Sequence, residues 1–192
     1  MKFFKLKWTL LAVLVVSFTA QSNAKENVIS GKQDITKSVN INLYPDQQKA
    51  DRSKLLVASY LQLKNALVSD DAKEAAIAAE VMVRAFKGFN ASGFNSDQQK
   101  EIAEIIENAS EQVEHIADNA SKIEHQREHF EVLSNDMSDL IAIVGSEQTL
   151  YQTKCPMYNK GKGGIWLSET KEIKNPFYGG KMLTCGSVQK EI

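Results

Sequence analysis

Apolar residues recur every three or four positions through the middle of the chain, the period of a single helix face. Leu56, Tyr60, Leu63 and Leu67 form the first such stripe. Pro45 ahead of them suits a first helical turn, where its missing N–H is not needed. Ser69-Asp70-Asp71 breaks this helix and caps a second, whose stripe is Ala75, Ala79, Met82 and Phe86 and whose stop is Gly88. A loop over 89–95 follows. Ser96-Asp97-Gln98-Gln99 has the form of a capping box, in which side chains satisfy free N–H groups of the first turn. The third stripe is Ile102, Ile106, Ala109, Val113, Ile116 and Ala120. A second box, Ser121-Lys122-Ile123-Glu124, opens a fourth helix instead of letting the third run on past Asn119. Its stripe is Ile123, Phe130, Leu133, Met137, Leu140 and Val144, and Gly145 ends it.

The pattern changes after Gly145. Six of the ten glycines lie beyond it, with Tyr151, Tyr158, Trp166, Phe177 and Tyr178, and β-like runs occur at 149–153, 165–168 and 182–184. The predicted fold class is therefore mainly α. An antiparallel four-helix bundle over 45–145 carries a small Gly/aromatic-rich cap over 146–192, with short β-strands, packed on it as one domain. Residues 25–44 are polar and read as a linker or N-terminal arm. Residues 1–24 read as a signal peptide: Lys2, Lys5 and Lys7 precede an apolar run over 8–20 that is short for a bilayer span, and Ser22-Asn23-Ala24 suits cleavage before Lys25. The expected mature chain is exported to the periplasm, soluble, and not inserted in a membrane after signal removal.

Charge narrows the partners. Losing three lysines and no acid from a chain of formal charge −1 leaves −4, which argues against nucleic acid. There is no Ser/His/Asp arrangement, phosphate loop or dinucleotide fingerprint, and the expectation is a protein that is not an enzyme. The candidate chemistry is sulfur. The only two cysteines each lie near a methionine, in Cys155-Pro156-Met157 and Met182-Leu183-Thr184-Cys185. Thiolates and thioethers gathered at one point favour soft ions such as Cu(I), with zinc as a second candidate. In an exported protein the competing outcome is a Cys155–Cys185 disulfide, which consumes both thiolates and makes the chain a stapled structural or interaction module. Closing about thirty residues, it would stabilise by roughly 3–4 kcal/mol.

His125-Gln126-Arg127-Glu128-His129 fits the H-x-x-E-H pattern of inverted zinc peptidases. The further acidic ligand and cleft such an enzyme needs are not evident, so a zinc hydrolase built on His125, Glu128 and His129 is disfavoured. His129 lies at the edge of the apolar stripe and is the better candidate as an accessory ligand to the sulfurs. His115 falls on the outer side of its helix.

The tail, with Cys155-Pro156-Met157, Gly164 to Ser168, Glu172 to Gly179 and Lys181 to Gly186, resembles an uncharacterised exported domain family. That family is found alone and at the C-terminus of periplasmic adaptor subunits of copper/silver-type efflux systems. Tyr60 to Leu67 and His125 to Ser134 are similar to its helical part, so the resemblance spans roughly 55–187. It implies a periplasmic metal-handling role, buffering or delivering copper in a resistance or homeostasis system. The metal positions it implies are Cys155, Met157, Met182 and Cys185, with His129 a family-like position, and the partner it implies is a periplasmic metal-efflux or metal-delivery protein. The β-rich adaptor domains of a pump subunit are absent from this sequence.

Overall fold

The computed structural model describes residues 45–192, with side chains from Ser53 onward. The signal peptide and the arm expected over 25–44 lie outside the described residues. The rest of the chain is mainly helical: α1 (Pro45–Val68), α2 (Ala72–Lys87), α3 (Ser96–Asp118) and α4 (Ile123–Val144) are followed by β1 (Tyr151–Cys155), β2 (Gly164–Ser168) and β3 (Ser187–Glu191). Each helix packs on its neighbour in sequence, and α4 also packs on α1 and β2. Among the described residues no helix is long and apolar enough to cross a membrane.

The stripes face inward. Leu56, Tyr60, Leu63, Leu67, Ala75, Ala79, Met82, Phe86, Phe130, Leu133, Met137, Leu140 and Val144 are all buried. The alanines of α2 carry no bulk, so that helix contributes close backbone approach as well as apolar area. Two ends depart from expectation. Asn95, not Ser96, is the N-cap of α3: its side chain accepts from the Gln98 N–H at 2.9 Å while the Gln98 amide oxygen accepts from the Asn95 N–H. The box predicted at Ser121 does not form; α4 starts after Lys122 with no side-chain cap, and Ala120 lies exposed beyond the end of α3. At the α1–α2 turn, Asp70 adopts a positive φ and Asp71 caps α2 through the N–H groups of Lys73 and Glu74.

The sheet is antiparallel in the order β2-β1-β3. The run at 182–184, expected as a strand, is a turn; the third strand forms five residues from Ser187, where the chain is mostly polar and exposed. Aromatic rings join sheet to helices. Phe130 of α4 stacks on Tyr60 of α1 at 5.3 Å between centroids and meets Phe177, which in turn touches Tyr158 and Trp166. The Tyr60 hydroxyl shares a 2.8 Å hydrogen bond with Ser134 and accepts the Leu167 N–H at 3.1 Å, tying β2 to both helices. Gly164 is needed where β2 passes these rings: a Cβ there would stand 2.8 Å from the Tyr158 ring and 2.9 Å from the Phe177 ring.

Candidate functional site

Cys155 closes β1 and is fully buried, opposite Gly164 of β2. Cys185 lies on the return path, after a 3-10 turn over Gly179–Lys181 and just before β3. The return is set by local polar contacts. Buried Asn175 donates from its N–H to the Leu183 carbonyl and from its side chain to the Cys185 carbonyl at 2.8 Å, while its own amide oxygen holds the Phe177 N–H. Gly186 lets the backbone pass over Trp166, where a Cβ would come within 2.8 Å of the ring. The result brings two cysteines thirty residues apart to Sγ–Sγ 3.0 Å, with both still free thiols.

The two sulfurs are electrically linked. The hydrogen bond to Cys155, then burial, raises the Cys185 thiol above its ordinary pKa, against a hydrogen bond from the Met157 backbone. The Cys185 thiol therefore holds its proton at neutral pH, and a metal would have to displace it. The methionines come close through their backbones: the Met157 amide lies at the Cys185 sulfur, and the Met182 carbonyl accepts the Cys185 N–H at 3.1 Å. Their side chains are exposed, Met157 at 57% and Met182 at 37%. Among the described residues, no hydrogen bond or ring contact joins His129 to either cysteine.

His129 keeps different company. Its ring stacks on His115 of α3 with centroids 4.5 Å apart, and His125 meets it edge-on at 4.6 Å. All three histidines of the chain thus gather on the α3–α4 seam. His129 Nδ1 contacts the Gln112 amide oxygen at 2.8 Å, His125 Nδ1 contacts Glu128 at 3.2 Å, and the two Nε2 atoms stand 3.3 Å apart. Burial, then the neighbouring His115 and His125, lowers the proton affinity of His129. Among the described residues, no three His, Cys, Asp or Glu side chains already form a group able to hold a metal ion. Glu128, the general base of the peptidase motif, is exposed and engaged with His125.

Two buried cations carry structure that the sequence reading passed over. Arg127 lies inside the H-x-x-E-H run yet is buried. Its guanidinium donates to the carbonyls of Pro176 at 2.8 Å and Leu67 at 2.9 Å and to Asp70 Oδ1 at 2.6 Å. Asp70 Oδ2 accepts the Gly180 N–H at 3.0 Å, so one ion pair joins α1, the α1–α2 turn, α4 and the loop leading to Cys185. That Arg127 hydrogen bond, and then the Gly180 N–H, hold the Asp70 carboxyl below its usual range. Lys64 is buried likewise and donates to Glu169 at 2.6 Å. Burial pushes the Glu169 carboxyl up, but the Lys64 hydrogen bond helps bring the balance below the ordinary value. The available signal was position: Arg127 falls four residues after Ile123 and three before Phe130, and Lys64 four after Tyr60, all on apolar faces.

A groove of about 850 Å³ runs along α1, lined by Val57, Ala58, Leu61 and Ala66 with Glu147 and Gln148 at one end. Neither a cysteine nor a histidine lines it.

Residues 56–149 match the model of a family described as "Protein of unknown function (DUF3347)". The match takes in nearly all of the helical part from Leu56, including His115, His125 and His129. It ends before β1, so Cys155, Met157, Met182 and Cys185 lie beyond it, and the resemblance expected across the tail reaches less far than 55–187. No curated protein and no solved structure matches the chain.

Proposed function

We propose that this chain, with its DUF3347 domain, is an exported periplasmic protein that binds a soft metal, copper as Cu(I) foremost, and buffers or delivers it to an efflux or delivery partner. In this reading α1 to α4 form an antiparallel bundle whose task is to hold the C-terminal cap. Cys155 and Cys185 are the ligands, and the exposed Met157 and Met182 thioethers take up and release the ion at the surface. The observation that carries it is the meeting of the only two cysteines as thiols, one buried and one half-exposed, from segments thirty residues apart. Two thiolates around one ion at a metal–sulfur distance of about 2.3 Å stand about 3.8 Å apart at a tetrahedral angle and about 4.6 Å when linear. From 3.0 Å the pair has to open by roughly an ångström. Cys185 is the side that can move, because it lies outside the strands and is held through its backbone.

The same distance favours a second reading. Closing sulfurs from 3.0 Å to a bond of about 2.05 Å takes about an ångström, a movement of the same size as the chelate requires in the other direction. Oxidation by a thiol-oxidising partner, with loss of two protons and two electrons, would turn the pair into a staple of the cap and the chain into an interaction module. Native mass spectrometry of protein from copper-supplemented periplasm, without added reductant, separates the two. A mass with one copper and both thiol protons displaced, lost in Cys155→Ala/Cys185→Ala, is expected for the soft-metal site. An apo mass short by two hydrogens, whose reduced form takes up no Cu(I), would sink it and leave the staple.

A further inference from the structure

We propose that His125 and His129 form a second metal site, separate from the thiols, that takes a borderline divalent ion through both Nε2 atoms, copper(II) foremost and zinc next. The argument is one of tautomers. A carboxylate only accepts hydrogen bonds, so the Glu128 contact requires His125 to carry its proton on Nδ1. The Gln112 amide oxygen makes the same demand of His129. Each neutral ring therefore presents an unprotonated Nε2, and these two lone-pair nitrogens face each other at 3.3 Å. With no proton between them the contact is repulsive, unless something cationic sits there.

A metal fits that gap. Two imidazole nitrogens at about 2.0–2.1 Å from one ion are about 3.3–3.4 Å apart at the tetrahedral angle zinc adopts. At adjacent corners of a copper(II) square plane they are about 2.8–3.0 Å apart, which needs the rings to close by a few tenths of an ångström. Imidazole suits copper and zinc, and copper(II) binds such donors most tightly of the common divalent ions. Glu128 and Gln112 then act as the partners that orient ligating histidines and raise their basicity. The i, i+4 spacing puts both rings on one face of α4 without any tertiary adjustment. His115, stacked on His129, supplies a third imidazole if its side chain rotates; as it stands it is parallel to His129 and not part of the chelate. The remaining coordination positions face solvent, because His115 is exposed and His125 and His129 are partly so. The site is therefore built to load and unload, not to bury an ion for stability. It goes beyond the thiol reading and does not depend on it.

The test is a copper(II) titration of Cys155→Ser/Cys185→Ser protein, followed by electron paramagnetic resonance and by circular dichroism as a folding control. One copper per chain with nitrogen coupling from two imidazoles is expected. His125→Ala or His129→Ala should weaken binding at least about tenfold, and Gln112→Ala about tenfold through loss of the tautomer. Unchanged affinity and spectrum in His125→Ala/His129→Ala would overturn the proposal and assign the copper to adventitious groups. Should the cysteine variant not fold, imidazole proton resonances of the unaltered protein during a zinc titration decide the matter. His125 and His129 must move together at one and the same equivalent, whether or not the thiols fill first, and a titration that leaves both unmoved refutes the site.

Discussion

Replacing Arg127 by methionine tests whether one buried ion pair holds the cap on the helices. The substitution keeps much of the aliphatic stem and removes the guanidinium, and with it the bonds to Pro176, Leu67 and Asp70. An unpaired buried carbonyl costs about 1–3 kcal/mol; the Pro176 carbonyl is orphaned here, while the Leu67 carbonyl keeps the Asp70 N–H. Asp70 is half-exposed and recovers part of its hydration, and the variant no longer has to desolvate a cation. The net loss is about 3–5 kcal/mol, the range for breaking a buried pair by removing one partner. With a urea slope near 2 kcal/mol/M, the midpoint falls by about 1.5–2.5 M. The pair also leaves a pH signature. Asp70 has a folded pKa below its ordinary value of 3.8, so its contribution is present above that value and is lost as pH falls through the folded pKa. The gap between wild type and Arg127→Met should therefore narrow below about pH 4. A difference under 1 kcal/mol at pH 7, or a gap that does not change on acidification, would refute the account.

Asp136 on α4 has a buried Oδ2 without a partner, and burial, then Asp139, pushes its carboxyl up to about 6. A raised carboxylate pKa makes the fold lose stability as pH rises from about 4 through 6, so Asp136→Asn should stabilise by about 1 kcal/mol at pH 7, after allowance for its partial exposure, and little at pH 4. Urea midpoints at both pH values check this, and destabilisation at pH 7 would contradict it. Gly164→Ala places a methyl group against the Tyr158 and Phe177 rings and should cost about 1–3 kcal/mol by overpacking, read as a lower Tm. If Cys155–Cys185 is a staple, reducing it should cost roughly 3–4 kcal/mol in wild type and nothing in Cys155→Ser/Cys185→Ser.

The helices were legible because their causes are local. A 3.6-residue apolar period and a capping side chain act within a turn or two, so the four stripes emerged as inward faces, with Ala120 exposed past the end of α3 and Ile106 and Ile123 only partly buried. Even there the ends slipped. Asn95 and Ser96 can both accept a hydrogen bond from the first turn, and Asn95 is the one whose box the Gln98 side chain closes. Ser121 carried a complete local signal that α4 does not use.

The tail was legible only as chemistry. Its glycines, aromatics and sulfurs marked it as different, and the two cysteines do meet. The sequence could not say that His115 of α3 would join His125 and His129 on the α3–α4 seam, or that the third strand would start at Ser187 and not at Met182. Nor could it say that Arg127, inside the H-x-x-E-H run, would tie α1, the α1–α2 turn and the loop leading to Cys185 to α4 from inside. Each of these rests on contacts between residues far apart in the chain. Whether such contacts form depends on which neighbours remain to satisfy a donor, a charge or an apolar face once the helices have packed. Local sequence determined the helices and the kinds of donor atom available; packing alone decided which of those atoms face one another.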